Sequence, residues 1–295
     1  MSTVSKPSDH PWAFLLLLFF AFLVANLIGF LLADQIWGGL QETLSEGEVL
    51  LDQTDRQVLR YGQIIIHFFS FTITSVLVGW LAYKAEWLQE LGLTSRINIR
   101  GAGSGILLLV FLLPVASVMQ YINVQLDLSE AALQQEALSN NLLRNVVLGE
   151  SMVEFITLFI AVAILPALGE ELLFRGLIQG KILPLFIENK HLQVILAGLL
   201  FSVMHLEMAG ILPRWILGIA FGYAFLWSQS LWAPILMHLT FNGIQAVSVY
   251  SSGEFQADTE VIALPQVVWI LAGAGLLASI WLIRRQSAYD RTYIG

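Results

Sequence analysis

The chain contains no cysteine among its 295 residues. That excludes disulfides, cysteine–zinc sites and thiol nucleophiles, and it leaves the redox compartment open. Charge is scarce as well. Only 12% of the residues are charged, about half the share usual in a soluble domain. The balance is acidic, with a net charge of -8, against the basic surface expected of a nucleic-acid binder. No repeat with a period of roughly 20–50 residues is visible, which argues against solenoids and propellers. No tract is low-complexity.

What the chain has in abundance is apolar surface: 57% hydrophobic residues and a mean hydropathy of +0.75. A transmembrane helix needs roughly 20 apolar residues. The candidate runs are Trp12–Ala33, Gly62–Tyr83, Gly101–Ile122, Met152–Leu168, Gln193–Leu212, Arg214–Trp227, Leu231–Tyr250 and Val261–Ile283. The expected fold is therefore all-α, a polytopic membrane protein with about eight transmembrane helices. The first run is too long for a signal-peptide core and no A-x-A site follows it, so it is read as a retained helix. Pro114 is expected to kink or tilt the third helix, the fourth has scope to run on past Arg175, and Pro213 suits the first turn of the sixth.

An even number of spans puts both termini on one side. With that side cytoplasmic, the inner segments hold 10 of the 14 basic residues, as the positive-inside rule requires. Arg56, Arg60, Arg144 and Arg214 fall outside, together with the acidic segment Asp34, Glu42, Glu46, Glu48, Asp52 and Asp55. That acidic run reads as a solvated, partly helical surface.

Ionisable residues inside spans are costly and usually functional. Here they crowd into the second half: Glu154, Glu170, Glu171, Arg175, His205, Glu207 and His238, with Asn242 beside them. In Glu170-Glu171-Leu-Leu-Phe-Arg175 the second glutamate and the arginine are i,i+4 neighbours with the acid first, the better order for a pair. Glu170 points about 100° away from Glu171, which leaves one carboxylate free for chemistry. A plain ion-pair cluster at a helix end is the competing reading, since Lys181 and Lys190 follow. His205 follows Phe201 in F-x-x-x-H, and His238 shares a helix face with Asn242 in H-x-x-x-N. Taken singly, either pattern also suits ordinary packing or a helix–helix hydrogen bond. Together the three patterns are expected on the order of once in 1000 chains of this composition.

These residues resemble the three signature motifs of the CPBP family, the CAAX-prenyl-protease and bacteriocin-processing membrane proteins, also called Abi. The resemblance covers about Met152 to Tyr250, and all three motifs are intact. It implies an eight-helix membrane endopeptidase with a polar intramembrane cavity open to the cytoplasmic leaflet. The chain then divides into N-terminal helices (1–150), a motif-bearing protease core (151–250) and a last helix with a cytoplasmic tail (251–295). The implied partners are a lipid bilayer and a membrane-associated protein or peptide substrate, with no nucleic acid.

Two mechanisms fit. In the preferred one, suggested by the resemblance, no metal or other cofactor is needed. Glu170 acts as general base, His205 orients the water, His238 and Asn242 donate to the oxyanion, and Glu171 with Arg175 holds the helix end. In the alternative, Glu170, His205 and His238 ligate zinc, a two-His, one-Glu set known from catalytic sites. No H-E-x-x-H helix and no Ser-His-Asp set is apparent. His67 reads as a helix–helix hydrogen bond, and Glu154 as part of a cavity wall or a snorkelling outer residue. Two rival classes remain: an ion-coupled transporter, which usually shows two related halves, and a catalytically silent membrane scaffold.

Overall fold

A computed structural model describes residues 10–38, 50–126, 128–255 and 263–293, with side chains in the last stretch as far as residue 287. Lys6, Glu42, Glu46 and Glu48, used in the charge reading, lie outside the described residues, as does the start of the run Val261–Ile283. The described residues are helical, with no strand. The helices are α1 Pro11–Trp37, α2 Gln53–His67, α3 Thr74–Tyr83, α4 Ile99–Asn123, α5 Glu130–Val147, α6 Met152–Phe159, α7 Leu165–Glu171, α8 Lys190–Val203, α9 Ile211–Ser228, α10 Trp232–Ser252 and α11 Gln266–Tyr293. A π-helical turn, Phe68–Ile73, joins α2 to α3. Two more, Ile160–Ile164 and Leu172–Ile182, flank α7.

Local chemistry sets many of the boundaries. Pro11 occupies the first turn of α1, where its missing N–H is no loss. Asn98, Ser129, Ser151 and Asn189 cap α4, α5, α6 and α8 through side-chain oxygens that accept backbone N–H groups. Gly253 closes α10 in the left-handed region. Helix α5 was not expected. It lies in the polar stretch between the third and fourth runs, and its buried Glu136 accepts a 2.8 Å bond from the Ala209 amide.

Among the described residues, six helical stretches are long and apolar enough to cross a membrane, rather than the eight expected. Their number and composition make this a multi-pass integral membrane protein. The two expected spans outside that set are helices nonetheless. Helix α8 has only 14 residues and ends at Val203, well before Leu212. The chain turns there, with Leu206 at a left-handed φ of 56°. Helix α10 is 21 residues long, but His238, Thr240, Asn242 and Gln245 make it too polar to qualify. Pro114 lies inside a continuous α4.

Since lipid is as apolar as leucine, small residues rather than hydrophobic ones decide which faces meet. On α1 the large side chains Leu16, Phe19, Phe20, Leu23 and Leu27 point outward, while Ala25, Gly29 and Ala33 are buried. A Cβ on Gly29 would stand 3.0 Å from that of Phe69. Helices α8 and α9 approach through Gly198 and Gly218, where a Cβ on Gly218 would lie 2.8 Å from the Gly198 Cα.

One buried ionic cluster joins α2 to α6. Glu154 receives Arg56 Nε at 3.0 Å and Arg60 Nη1 at 2.9 Å on one oxygen. Its other oxygen receives Arg56 Nη2 at 3.3 Å and the Glu150 amide at 2.9 Å. Arg56 Nη1 bonds the Leu51 carbonyl, and Arg60 bonds the carbonyls of Val146 and Leu148 at the end of α5. Glu154 is thus neither a cavity wall nor a snorkelling residue, and Arg56 and Arg60, two of the four arginines placed in the outer segments, are buried.

Candidate active site

The paired glutamates end α7, a seven-residue α-helical piece between two π-helical stretches. Such π-helical interruptions are frequent at functional sites. Glu170, Glu171, Arg175 and His238 are all buried. Arg175 Nη1 donates to Glu171 Oε1 at 2.9 Å, the i,i+4 pair expected from the spacing. The same oxygen receives His238 Nδ1 at 2.8 Å from α10, a contact the spacing does not reveal. Arg175 Nη2 bonds the Gly218 carbonyl at 2.9 Å, at the close approach of α8 and α9.

Aromatic rings surround this charge. The Arg175 guanidinium lies over Phe201 at 4.7 Å and near Phe221 at 5.6 Å, and a cation is stabilised by such ring faces. Phe201 also meets both motif histidines, His205 at 5.1 Å and His238 at 5.8 Å between ring centres. This explains the phenylalanine of F-x-x-x-H. Phe221 stacks on His238 at 4.9 Å. It was missed in the sequence, where no spacing rule ties it to the motifs.

The hydrogen bonds define the imidazoles. A carboxylate only accepts, so His238 Nδ1 carries the proton and Nε2 is the acceptor. Asn242 Nδ2 meets that Nε2 at 3.1 Å and donates to the Val162 carbonyl at 2.9 Å. His205 stands in the turn after α8, and its Nδ1 donates to the Phe201 carbonyl at 2.9 Å. Its Nε2 lone pair is thereby left available.

Glu170 differs in its partner. Like Glu171 it has a buried Oε2 without a hydrogen bond, but its Oε1 lies 3.0 Å from His67 Nε2 on α2 and no arginine or lysine is paired with it. The interaction expected of His67 is indeed between helices, and its partner is the first motif glutamate. Neither His205 nor His238 is hydrogen-bonded to Glu170; both meet Phe201 instead. The six residues singled out from the motifs therefore lie together, with Glu170, Glu171, Arg175 and His238 buried and His205 and Asn242 half-buried.

The zinc alternative can be tested against this arrangement. His238 has both nitrogens engaged, by Glu171 and by Asn242. Among the described residues, no three His, Cys, Asp or Glu side chains are grouped to hold a metal ion. As arranged, Glu170, His205 and His238 do not fit a zinc ion, and no step is derived through one.

The site thus combines a buried double glutamate and its arginine with two histidines, in a helical frame apolar enough to cross a membrane. Residues 152–244 match the family model described as Rce1-like, a type II CAAX prenyl endopeptidase. The matched segment carries all three motifs, so the resemblance to the CPBP family is shown there, and it points to a protease, a hydrolase. No curated protein and no solved structure matches the chain.

Proposed function

We propose that the chain is an intramembrane endopeptidase that hydrolyses a peptide bond of a membrane-associated protein or peptide with a water activated by Glu170. The observation that carries this reading is the unequal treatment of two adjacent carboxylates. Each keeps one buried oxygen unpartnered, but Glu171 is neutralised by Arg175 and held by His238, whereas the one hydrogen-bond partner of Glu170 among the described residues is His67.

In the proposed reaction Glu170 takes a proton from water as the oxygen attacks the scissile carbonyl. His205, with its Nε2 lone pair, orients that water and shares its proton. The oxyanion is met by Asn242, whose N–H now directed at His238 Nε2 turns to the substrate; His238 Nε2 holds a lone pair in this arrangement and donates beside Asn242 only in the imidazolium form, with Nδ1 still on Glu171. Collapse of the tetrahedral intermediate breaks the C–N bond, and the amine leaves with the proton taken from water. That no three His, Cys, Asp or Glu side chains are grouped for a metal ion among the described residues supports the metal-free form. An apolar cavity of about 500 Å³ beside the site, lined by Trp12, Phe19, Phe22, Phe174, Leu200 and Met204, supports a substrate carrying an apolar membrane anchor. The basic-residue bias supports cytoplasmic termini.

The test compares membrane peptidomes of cells carrying the wild-type chain and Glu170→Gln. Product peptides present only with the wild type support the reading. Identical peptidomes, with both proteins folded and equally abundant, overturn it.

A further inference from the structure

We propose that His67 is a positioning residue for the general base, holding Glu170 Oε1 so that Oε2 is turned to the hydrolytic water. This rests on the reading of Glu170 as the base. His67 belongs to none of the three motifs and lies 103 residues from Glu170 along the chain. Its Nε2 stands 3.0 Å from Glu170 Oε1. An ionised carboxylate accepts only, so Nε2 must carry the proton and Nδ1 the lone pair. The bond consumes one carboxylate oxygen and leaves the other to accept from water. A base held in this way loses no time sampling unproductive rotamers, and misplacement of about 1 Å at such a site costs on the order of 10²-fold in rate.

The surroundings hold the imidazole in place. Its ring stacks on Phe71, 4.5 Å between centres and 25° between planes. His67 is the last residue of α2, directly before the π turn Phe68–Ile73. The residue before Glu170 is Gly169. A Cβ there would meet Phe71 Cβ and Thr72 Oγ1 at 2.9 Å and His67 Cε1 at 3.3 Å. The glycine is what lets α7 come close enough for the ring to reach the carboxylate.

Two features separate this from an ordinary bond between packed helices. Buried polar atoms are normally satisfied, yet Glu170 Oε2, His67 Nδ1 and Thr72 Oγ1 all lack partners where these segments meet. And among the described residues His67 is the one hydrogen-bond partner of the carboxylate assigned to the chemistry.

The test uses the full-length protein in membranes and three variants, with the product peptides that distinguish wild type from Glu170→Gln as the readout. A glutamine amide can stand where Nε2 stands, whereas an asparagine amide is too short to reach. His67→Gln should therefore cleave within about threefold of wild type, and His67→Asn should fall roughly tenfold or more at unchanged abundance. Equal rates for the two variants, or a wild-type rate for His67→Asn, overturn the inference. Should His67→Asn fail to fold, ¹⁵N-histidine NMR of the purified wild type decides, with only five histidines to assign. His67 with its proton on Nε2, and a shifted Nε2 resonance in Glu170→Gln, supports the proposal; a proton on Nδ1 overturns it. Cleavage by Glu170→Gln at the wild-type rate would sink the general-base reading itself. Loss in Glu170→Gln with wild-type rates in every His67 variant would sink only the role of His67.

Discussion

The chain buries two ionic clusters of similar makeup, and they end in opposite conditions. Around Glu154, both carboxylate oxygens and every nitrogen of the Arg56 and Arg60 guanidinium groups have partners. Around Glu171, the pairing is incomplete: Glu171 Oε2 and Arg175 Nε lack partners, and so does the neighbouring Glu170 Oε2. A saturated cluster offers nothing to a ligand. It ties α2, the end of α5 and the start of α6 together, and removing one member leaves a buried charge uncompensated. An unsaturated cluster in a dry interior is less stable than it could be, and the unpaired oxygens are where chemistry can be done. In this molecule completeness of hydrogen bonding separates the two better than the residue types do.

The predictions bear on that contrast. Glu170→Gln should abolish cleavage while the protein stays folded, read from product peptides and from thermal unfolding in detergent. If it were fully active, the unsaturated cluster would have no claim to chemistry. Glu171→Gln should chiefly reduce stability, by about 3–5 kcal/mol, since Arg175 loses its charge partner; a lower detergent melting temperature with residual activity in the folded fraction is expected. Glu154→Gln should destabilise by a similar amount, about 3–5 kcal/mol, with activity per folded molecule near wild type. Selective loss of turnover there, at unchanged stability, would break the comparison. Asn242→Ala should slow cleavage roughly 10²- to 10³-fold, about 2.7–4 kcal/mol in the barrier, without a matching loss of fold. A strong chelator should have the smallest effect, leaving the rate of the purified enzyme unchanged; loss of activity restored by zinc would favour the metal-bound alternative.

The legible parts of the molecule were those written over short sequence distances. Apolar runs located most of the helices, and four-residue spacings correctly paired Glu171 with Arg175 and His238 with Asn242. Features assembled from distant segments were not visible. The partners of Glu154 are 94 and 98 residues away, His67 is further still from Glu170, and His238 reaches Glu171 across 67 positions. Helix α8 was drawn too long because the segment after Val203 has no proline or glycine until Gly210. Its end depends on a left-handed leucine, Leu206, which no propensity rule anticipates. Two of the expected spans fall outside the six helices that qualify by length and composition, one of them for a related reason. The polar side chains of the candidate site also lower the apolar character of α10, so the helix that carries His238 and Asn242 is not among those apolar enough by composition to cross a membrane.

The turn that carries His205 has a bearing on how the molecule breathes. Its amides are held by short-range bonds, His205 N to the Ser202 carbonyl at 3.3 Å and Leu206 N to that of Val203 at 3.0 Å. The glutamates, by contrast, belong to an unbroken helical stretch, Met152–Leu185. Segments of a fold open with different free energies, and frayed helix ends open before packed interiors do. His205 therefore rides on the least cooperative piece of its own site. Amide hydrogen exchange should record this as early labelling at His205 and Leu206, against slow labelling along Ala167 to Glu171.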